Sequence, residues 1–209
     1  MKVVINDWHT IVRNYNYLDE FEHRLYLKYF PNKNEREPFK KIIDRIWNDE
    51  YPKTDIILFI DEGKVVAGCV SDYYSNCKSI EPIYLVVDEE YRNQGLARRL
   101  LDTLFSRKDI DDMFVEVDNP EMVEIGESSI DPKTRIEIYK KLGFDLVDIK
   151  YVQPPLDKGM DFERSLLLMC RTKNPPLTKK RLRAFLTEFY EGLDSIDTDE
   201  YRELMKGLE

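Results

Sequence analysis

The sequence predicts a mixed α/β fold followed by a helical tail, on three observations. Short apolar runs such as "DIILFI" and "KVVAGCVSDYY" alternate with longer segments of helical apolar spacing. One such run, "IYLVV", leads through a glycine-bearing turn into the amphipathic stretch "YRNQGLARRLLDTLF". Beyond Asn174-Pro175-Pro176 the pattern is helical alone.

The elements follow in order. Lys2 to Ile5 forms a short strand, and Leu18 to Phe30 a helix with Leu18, Phe21, Leu25 and Tyr29 near one face. Pro31 and "NKN" break it. Phe39, Ile42, Ile43, Ile46 and Trp47 keep helical spacing and end before Pro52. "DEG" joins "DIILFI" to "KVVAGCVSDYY" as a hairpin. "IEPIYLVV" is a strand, the opening helix follows it, and "DMFVEV" is the next strand. Asp131-Pro132 reads as an N-cap with proline in first helical position, and Gly143 as the C-cap of the helix through "KTRIEIYKKL". "FDLVDIKYV" and "RSLLLMCRT" are the last two strands, separated by a loop with "PPLDKG". In the tail, Leu182, Phe185, Leu186 and Phe189 form an apolar stripe, and Tyr201 to Leu208 a second short helix. That tail is too small for a core of its own.

Composition limits the function. The 209 residues suit one domain with an appendage, and 42% hydrophobic residues suffice for a core. No run reaches the roughly 18 apolar residues of a membrane span, and "MKVVINDWHTIV" has no secretory pattern. Cys69, Cys77 and Cys170 show no metal-ligand spacing, and only His9 and His23 could join them, so no metal is expected. These features predict a cytoplasmic protein with reduced thiols and no membrane partner. A net charge of −9 argues against nucleic acid as a partner and is compatible with a cationic substrate.

Glycine inside a helix costs about 1 kcal/mol relative to alanine, so Gly95 at a helix mouth points to close approach of a ligand. A strand feeding a turn whose N–H groups face outward, at the positive end of a helix dipole, cradles an anion. Gly95 permits the approach, Ala97 keeps the wall low and Arg92 supplies charge, which suits a pyrophosphate. There is no G-x-x-x-x-G-K-S/T loop, and only one glycine where a dinucleotide fingerprint has three. Taken alone, the segment also reads as an ordinary surface helix with a tight start.

Arg92-x-x-Gly95-x-Ala97 after an apolar strand resembles the acetyl-CoA pyrophosphate motif, Gln/Arg-x-x-Gly-x-Gly/Ala, of the GNAT superfamily of N-acetyltransferases. Further on, "RIEIYKKLGF" resembles the superfamily's second signature, a helix ending in Tyr-x-Lys-Leu-Gly-Phe. The order of strands and helices fits as well. The resemblance assigns residues 1–173 to a GNAT-like domain and leaves 174–209 as a C-terminal helical extension, packed on the domain or on a partner subunit.

The resemblance implies a mostly antiparallel sheet whose two central parallel strands, "IYLVV" and "MFVEV", splay apart. It implies acetyl-CoA as acyl donor, with the pantetheine arm against the backbone of Leu85, Val86 and Val87. The pyrophosphate would sit on the amides of Arg92, Asn93, Gln94, Gly95, Leu96, Ala97 and Arg98. Arg98 or Arg99 either reaches the adenosine phosphate or is a solvated helix-face charge. The implied reaction is direct attack of an amine on the thioester. The amine must be neutral, yet at a lysine-like pKa only about one in a few thousand is neutral at pH 7. By resemblance a backbone amide, of Val86 or Val87, faces the oxyanion.

Tyr139 matches the tyrosine that in many members protonates the departing sulfur; a half-buried helix aromatic is the plainer reading. For the base, Glu81 opens the motif strand at the spacing of the glutamate in histone-acetylating members, and Glu116 is its rival in the second splayed strand. A water relay without a side-chain base is the third option. Either carboxyl would need its pKa raised by burial.

The chain departs from the pattern at Pro132, where many members carry a pantetheine-binding asparagine; Asn119 is the substitute. Glu121, Glu124 and Glu127, in the acidic loop from Asp118 to Asp131, either attract a cationic amine or are simply solvated. Tyr26, Tyr29 and Phe30 face either the core or a substrate. The expected acceptor is a small-molecule primary amine, with a protein lysine or N-terminus as second choice. A noncatalytic CoA-binding sensor or assembly module is the alternative from another class, and the apolar tail makes a homodimer possible.

Overall fold

β1 (Lys2–Asn6) pairs antiparallel with β2 (Lys53–Asp61), and β2 with β3 (Lys64–Tyr74), through a two-residue turn at Glu62-Gly63. Both turn residues have positive φ, the type I′ geometry that matches the twist of the flanking strands. The computed structural model describes residues 1–7, 9–32, 36–123, 130–157 and 159–208. The fold class is the mixed α/β one the sequence predicts, with mostly antiparallel strands flanked by helices. The chain divides into two compact units, residues 1–74 with 80–108, and residues 75–79 with 109–209.

In the first unit the strand order is β1-β2-β3-β4, with β4 at Ser79–Val87. The β2–β3 register slips beside Phe59, which faces Ala67 while Ile60 faces Val65. The extra residue of this bulge, Val66, turns its carbonyl to the Asp88 amide at 2.9 Å, which fixes the exit of β4. α1 (Tyr15–Phe21) runs through a wide turn, Glu22–Tyr26, into α2 (Leu27–Tyr29). In that turn the Leu27 amide reaches back to the Glu22 carbonyl, an i→i+5 bond. The added residue rotates the apolar face, so Leu18, Phe21, Leu25 and also Tyr26 are buried, while Tyr29 is only half-buried. α3 (Phe39–Asn48) buries Phe39, Ile42 and Ile46; Trp47, expected on that stripe, is 61% exposed. α4 (Leu96–Phe105) buries Leu96, Leu100, Leu101, Leu104 and Phe105.

The second unit holds the order β5-β7-β6: β5 (Asp112–Asp118), β6 (Asp145–Leu146) and β7 (Leu166–Thr172), antiparallel at both pairings. α5 (Pro132–Lys141) starts at Asp131, whose carboxylate accepts the Thr134 amide at 2.9 Å, as the sequence predicts. The strand expected over "FDLVDIKYV" is shorter. After Asp145–Leu146 one ladder bond remains, from the Val147 amide to the Leu168 carbonyl. The Ile149 amide then turns to Val147 and the chain leaves β7; Gln153 pairs instead with Glu163, in an isolated antiparallel bridge ahead of β7. α6 (Lys179–Gly192) and α7 (Asp199–Lys206) follow, capped by Thr178 and Thr198. Phe185 of α6 stacks on Phe114 of β5 at 3.8 Å between centroids, so the apolar stripe of the tail meets the strand.

Candidate active site

The mouth of α4 is built by backbone geometry. Asn93 has φ 61° and Gly95 φ 76°, and a side chain on Gly95 would meet no atom within 4 Å. Glycine is therefore needed at this position for its left-handed backbone, while the space above it is open to a ligand. The Arg99 amide makes the first helical bond, to the Gly95 carbonyl at 3.1 Å. Among the described residues the amides of Gly95, Leu96 and Ala97 have no acceptor in the protein, as at the start of any helix. Arg92, Asn93, Gln94, Gly95 and Arg98 are exposed, Ala97 is half-buried and Leu96 is buried.

The support beneath this mouth was not legible in the sequence. The Arg92 guanidinium lies 5.0 Å from the Tyr29 ring centre, and its Nε donates to the Val87 carbonyl at 3.3 Å. The Tyr29 hydroxyl accepts the Glu89 amide at 3.0 Å. Asp88 is paired with Arg24 and lies 3.9 Å from Lys64; burial would raise its carboxyl, but those cations hold it below the ordinary range. Of the three aromatics weighed as core or substrate-facing, Tyr26 is core, with its hydroxyl donating to the Glu37 carbonyl at 2.8 Å. Leu85 and Val87 are half-buried and Val86 is buried, the alternation of a strand with two unlike faces.

Glu81 in β4 is 4% exposed and accepts the Tyr74 hydroxyl at 3.1 Å. Glu116 in β5 is half-buried by exposed area yet densely surrounded by protein. Tyr151 donates its hydroxyl to one carboxyl oxygen of Glu116, and Gln153 its amide to the other. Burial pushes this carboxyl up to about 7; the two donors oppose that rise and nearby Glu163 adds to it. Tyr151 and Gln153 are also missed by sequence reasoning, although their spacing places them on one side of an extended chain.

Tyr139 is half-buried on α5, its ring edge-on to Phe144 at 5.3 Å. The signature explains that placement. Gly143, at φ 90°, ends the helix: its amide bonds the Lys140 carbonyl at 3.0 Å, and the Phe144 amide bonds the Tyr139 carbonyl at 3.1 Å. This is the Schellman closure, which brings the residue after the glycine onto the tyrosine five positions before it. Asn119 ends β5; its Oδ1 accepts the Glu121 amide at 3.0 Å, and its own amide bonds the Ser165 carbonyl at 2.7 Å. Glu124 and Glu127 lie outside the described residues.

A separate cleft of about 500 Å³ in the first unit is lined by residues such as Arg45, Thr54, Asp55, Tyr73 and Arg107. It includes no expected site residue, and its Arg107 and Asp55 pair at 2.6 Å. Among the described residues no group of histidine, cysteine and carboxylate side chains is arranged to hold a metal, and no helix is long and apolar enough to cross a membrane. Cys69 and Cys170 are buried, and burial raises both thiols.

Residues 52–146, which include the α4 mouth, Glu81, Glu116 and Tyr139, match the family model for the acetyltransferase (GNAT) domain. A putative GNAT-family acetyltransferase from Bacteroides thetaiotaomicron superposes with a TM-score of 0.67 at 18% identity, covering 93% of this chain and 98% of that one. Tetrahymena GCN5 does so with a TM-score of 0.54 at 15% identity, over 85% of this chain and 99% of that one. An aminoglycoside 6'-acetyltransferase type Ii gives 0.54 at 17% identity, over 85% and 100%. At these identities the likeness is one of fold. No curated protein matches the chain in sequence. Residues 52–146 thus match the GNAT acetyltransferase domain, and the chain shares the fold of these acetyltransferases.

Proposed function

We propose that the protein is an acetyl-CoA-dependent N-acetyltransferase that moves the acetyl group to a primary amine, that of a small molecule, by direct attack in a ternary complex. The observation that carries this reading is the α4 mouth: left-handed Asn93 and Gly95, open space above the glycine, and amide donors at a helix start inside a GNAT domain. These groups fit a diphosphate, with Arg92 as the nearby cation. The backbone of Leu85, Val86 and Val87 would carry the pantetheine arm, and a Val86 or Val87 amide the oxyanion. Asn119 would offer its NH2 to that arm, while its Oδ1 already accepts the Glu121 amide.

Tyr139 is the acid for the departing sulfur. Of the two carboxyls, Glu116 suits the base better, because a group poised near 7 exchanges protons readily at neutral pH. Glu81 is more deeply enclosed and already takes the Tyr74 hydroxyl. A net charge of −9 favours a cationic acceptor, and three cysteines outside any disulfide accord with the cytoplasm.

The test is thiol release from acetyl-CoA across a panel of primary amines, together with calorimetric CoA titration of Gly95→Glu. Turnover by the wild type is expected. So is loss of CoA binding in the variant at unchanged circular dichroism, because the added carboxylate fills the open space and repels the diphosphate. Unaltered CoA affinity in Gly95→Glu would displace the site from α4.

A further inference from the structure

We propose that Tyr151 and Gln153 are positioning residues for the Glu116 carboxyl as proton acceptor, and that helix α6 holds them in place through Tyr190. On this view the C-terminal extension is a working part of the transferase. The inference rests on the acetyltransferase reading above and adds the residues that prepare its base.

The geometry is a bracket closed on three sides. From one side the segment after β6 presents Tyr151 and Gln153, each donating to a different oxygen of Glu116. Each carboxylate oxygen has two lone pairs, so one on each remains for an incoming proton. Behind that segment the Gln153 amide bonds the Glu163 carbonyl at 2.8 Å, and the Glu163 amide bonds back at 3.0 Å. From α6, the buried Tyr190 donates its hydroxyl to the Val152 carbonyl at 2.5 Å, between the two donors. Tyr190 is backed in turn by Tyr201 of α7, at 5.2 Å between rings. Across the sheet Glu116 faces Leu168, which is apolar. Among the described residues, the titratable groups that act on the carboxyl are Tyr151, Glu163 and Tyr190.

In the transfer step the amine nitrogen bonds to the acetyl carbon and the carbon–sulfur bond breaks. The surplus amine proton goes to Glu116, and the departing sulfur takes the Tyr139 hydroxyl proton. Water then removes the proton from Glu116 and restores the one on Tyr139, so the sum is amine plus thioester to amide plus thiol. Both bracket donors favour the ionised carboxyl. Removing one leaves it protonated to higher pH.

The variants are Tyr151→Phe, Gln153→Met and Tyr190→Phe in the full chain. Two measurements are made on each: the pH profile of kcat/KM, and 13C-NMR titration of side-chain-labelled glutamate, with Glu116→Gln identifying the resonance. For Tyr151→Phe and Gln153→Met the acidic limb of the profile should rise by about one pH unit, and the Glu116 titration with it. Tyr190→Phe should shift both in the same direction by less, with KM for acetyl-CoA little changed. A uniform loss of rate with the limb in place would overturn the proposal, as would a shifted titration with an unmoved limb. Failure of the parent reading looks different: the wild type itself turns over no amine, whatever its titration shows.

Discussion

Two opposed effects meet at Glu116. Enclosure by protein raises its carboxyl from an ordinary 4.5 to about 7, while the donated hydrogen bonds of Tyr151 and Gln153 keep it from rising further. A carboxyl whose folded pKa lies above its unfolded one binds its proton more tightly in the native state. Its contribution to stability is then complete below pH 4.5 and lost as the pH rises through 7. Glu116→Gln has no charge to bury, so it should melt above the wild type at pH 8, and the gap should close near pH 5. Parallel melting temperatures across that window would mean that Glu116 is not held as described. Such gains in stability at the expense of turnover are common at active sites. Tyr139 lies at the other extreme of legibility. "YKKLGF" encodes a helix, its left-handed stop and the ring contact behind it, so the sequence alone predicts where that tyrosine sits.

At the scale of elements, α6 is tied to β5 by more than the Phe114–Phe185 stack. Arg181 is paired with both oxygens of Asp112, which is 1% exposed, and also donates to the Asn174 carbonyl at 2.8 Å. Removing one partner of a buried ion pair strands the other, at about 3–5 kcal/mol. Arg181→Ala should therefore lower unfolding free energy by about 3 kcal/mol in urea titration. If α6 also holds the bracket at Glu116, the same variant should lose activity before it loses β-sheet circular dichroism. An effect under about 0.5 kcal/mol, usual for a surface pair, would show the contact to be peripheral. Helical spacing made α6 and α4 visible in advance because their apolar stripes follow one period. It could not show the wide turn at Glu22–Tyr26, since one inserted residue leaves the pattern intact while rotating the face that is buried.

Over the whole molecule, 41 acidic against 32 basic residues leave a field that concentrates cations. For a cationic amine, KM should rise with salt, since the Debye length falls from about 10 Å at 0.1 M to 3 Å at 1 M. Steady-state kinetics on a neutral and a charged amine of similar size separate this from a general salt effect; equal responses would remove the long-range term. Legible along the chain was what depends on near neighbours: the hairpin at Glu62-Gly63, the glycine-bearing turn at the mouth of α4, the capped α5 and its tyrosine. Each follows from local φ preferences and apolar period. Tertiary structure alone decided which carboxyl is enclosed, that Tyr151 and Gln153 converge on it, that Tyr29 lies beneath Arg92, and that "FDLVDIKYV" leaves its ladder early. Those outcomes rest on contacts between residues far apart in the chain, where desolvation and hydrogen-bond partners are set by packing that no local pattern encodes.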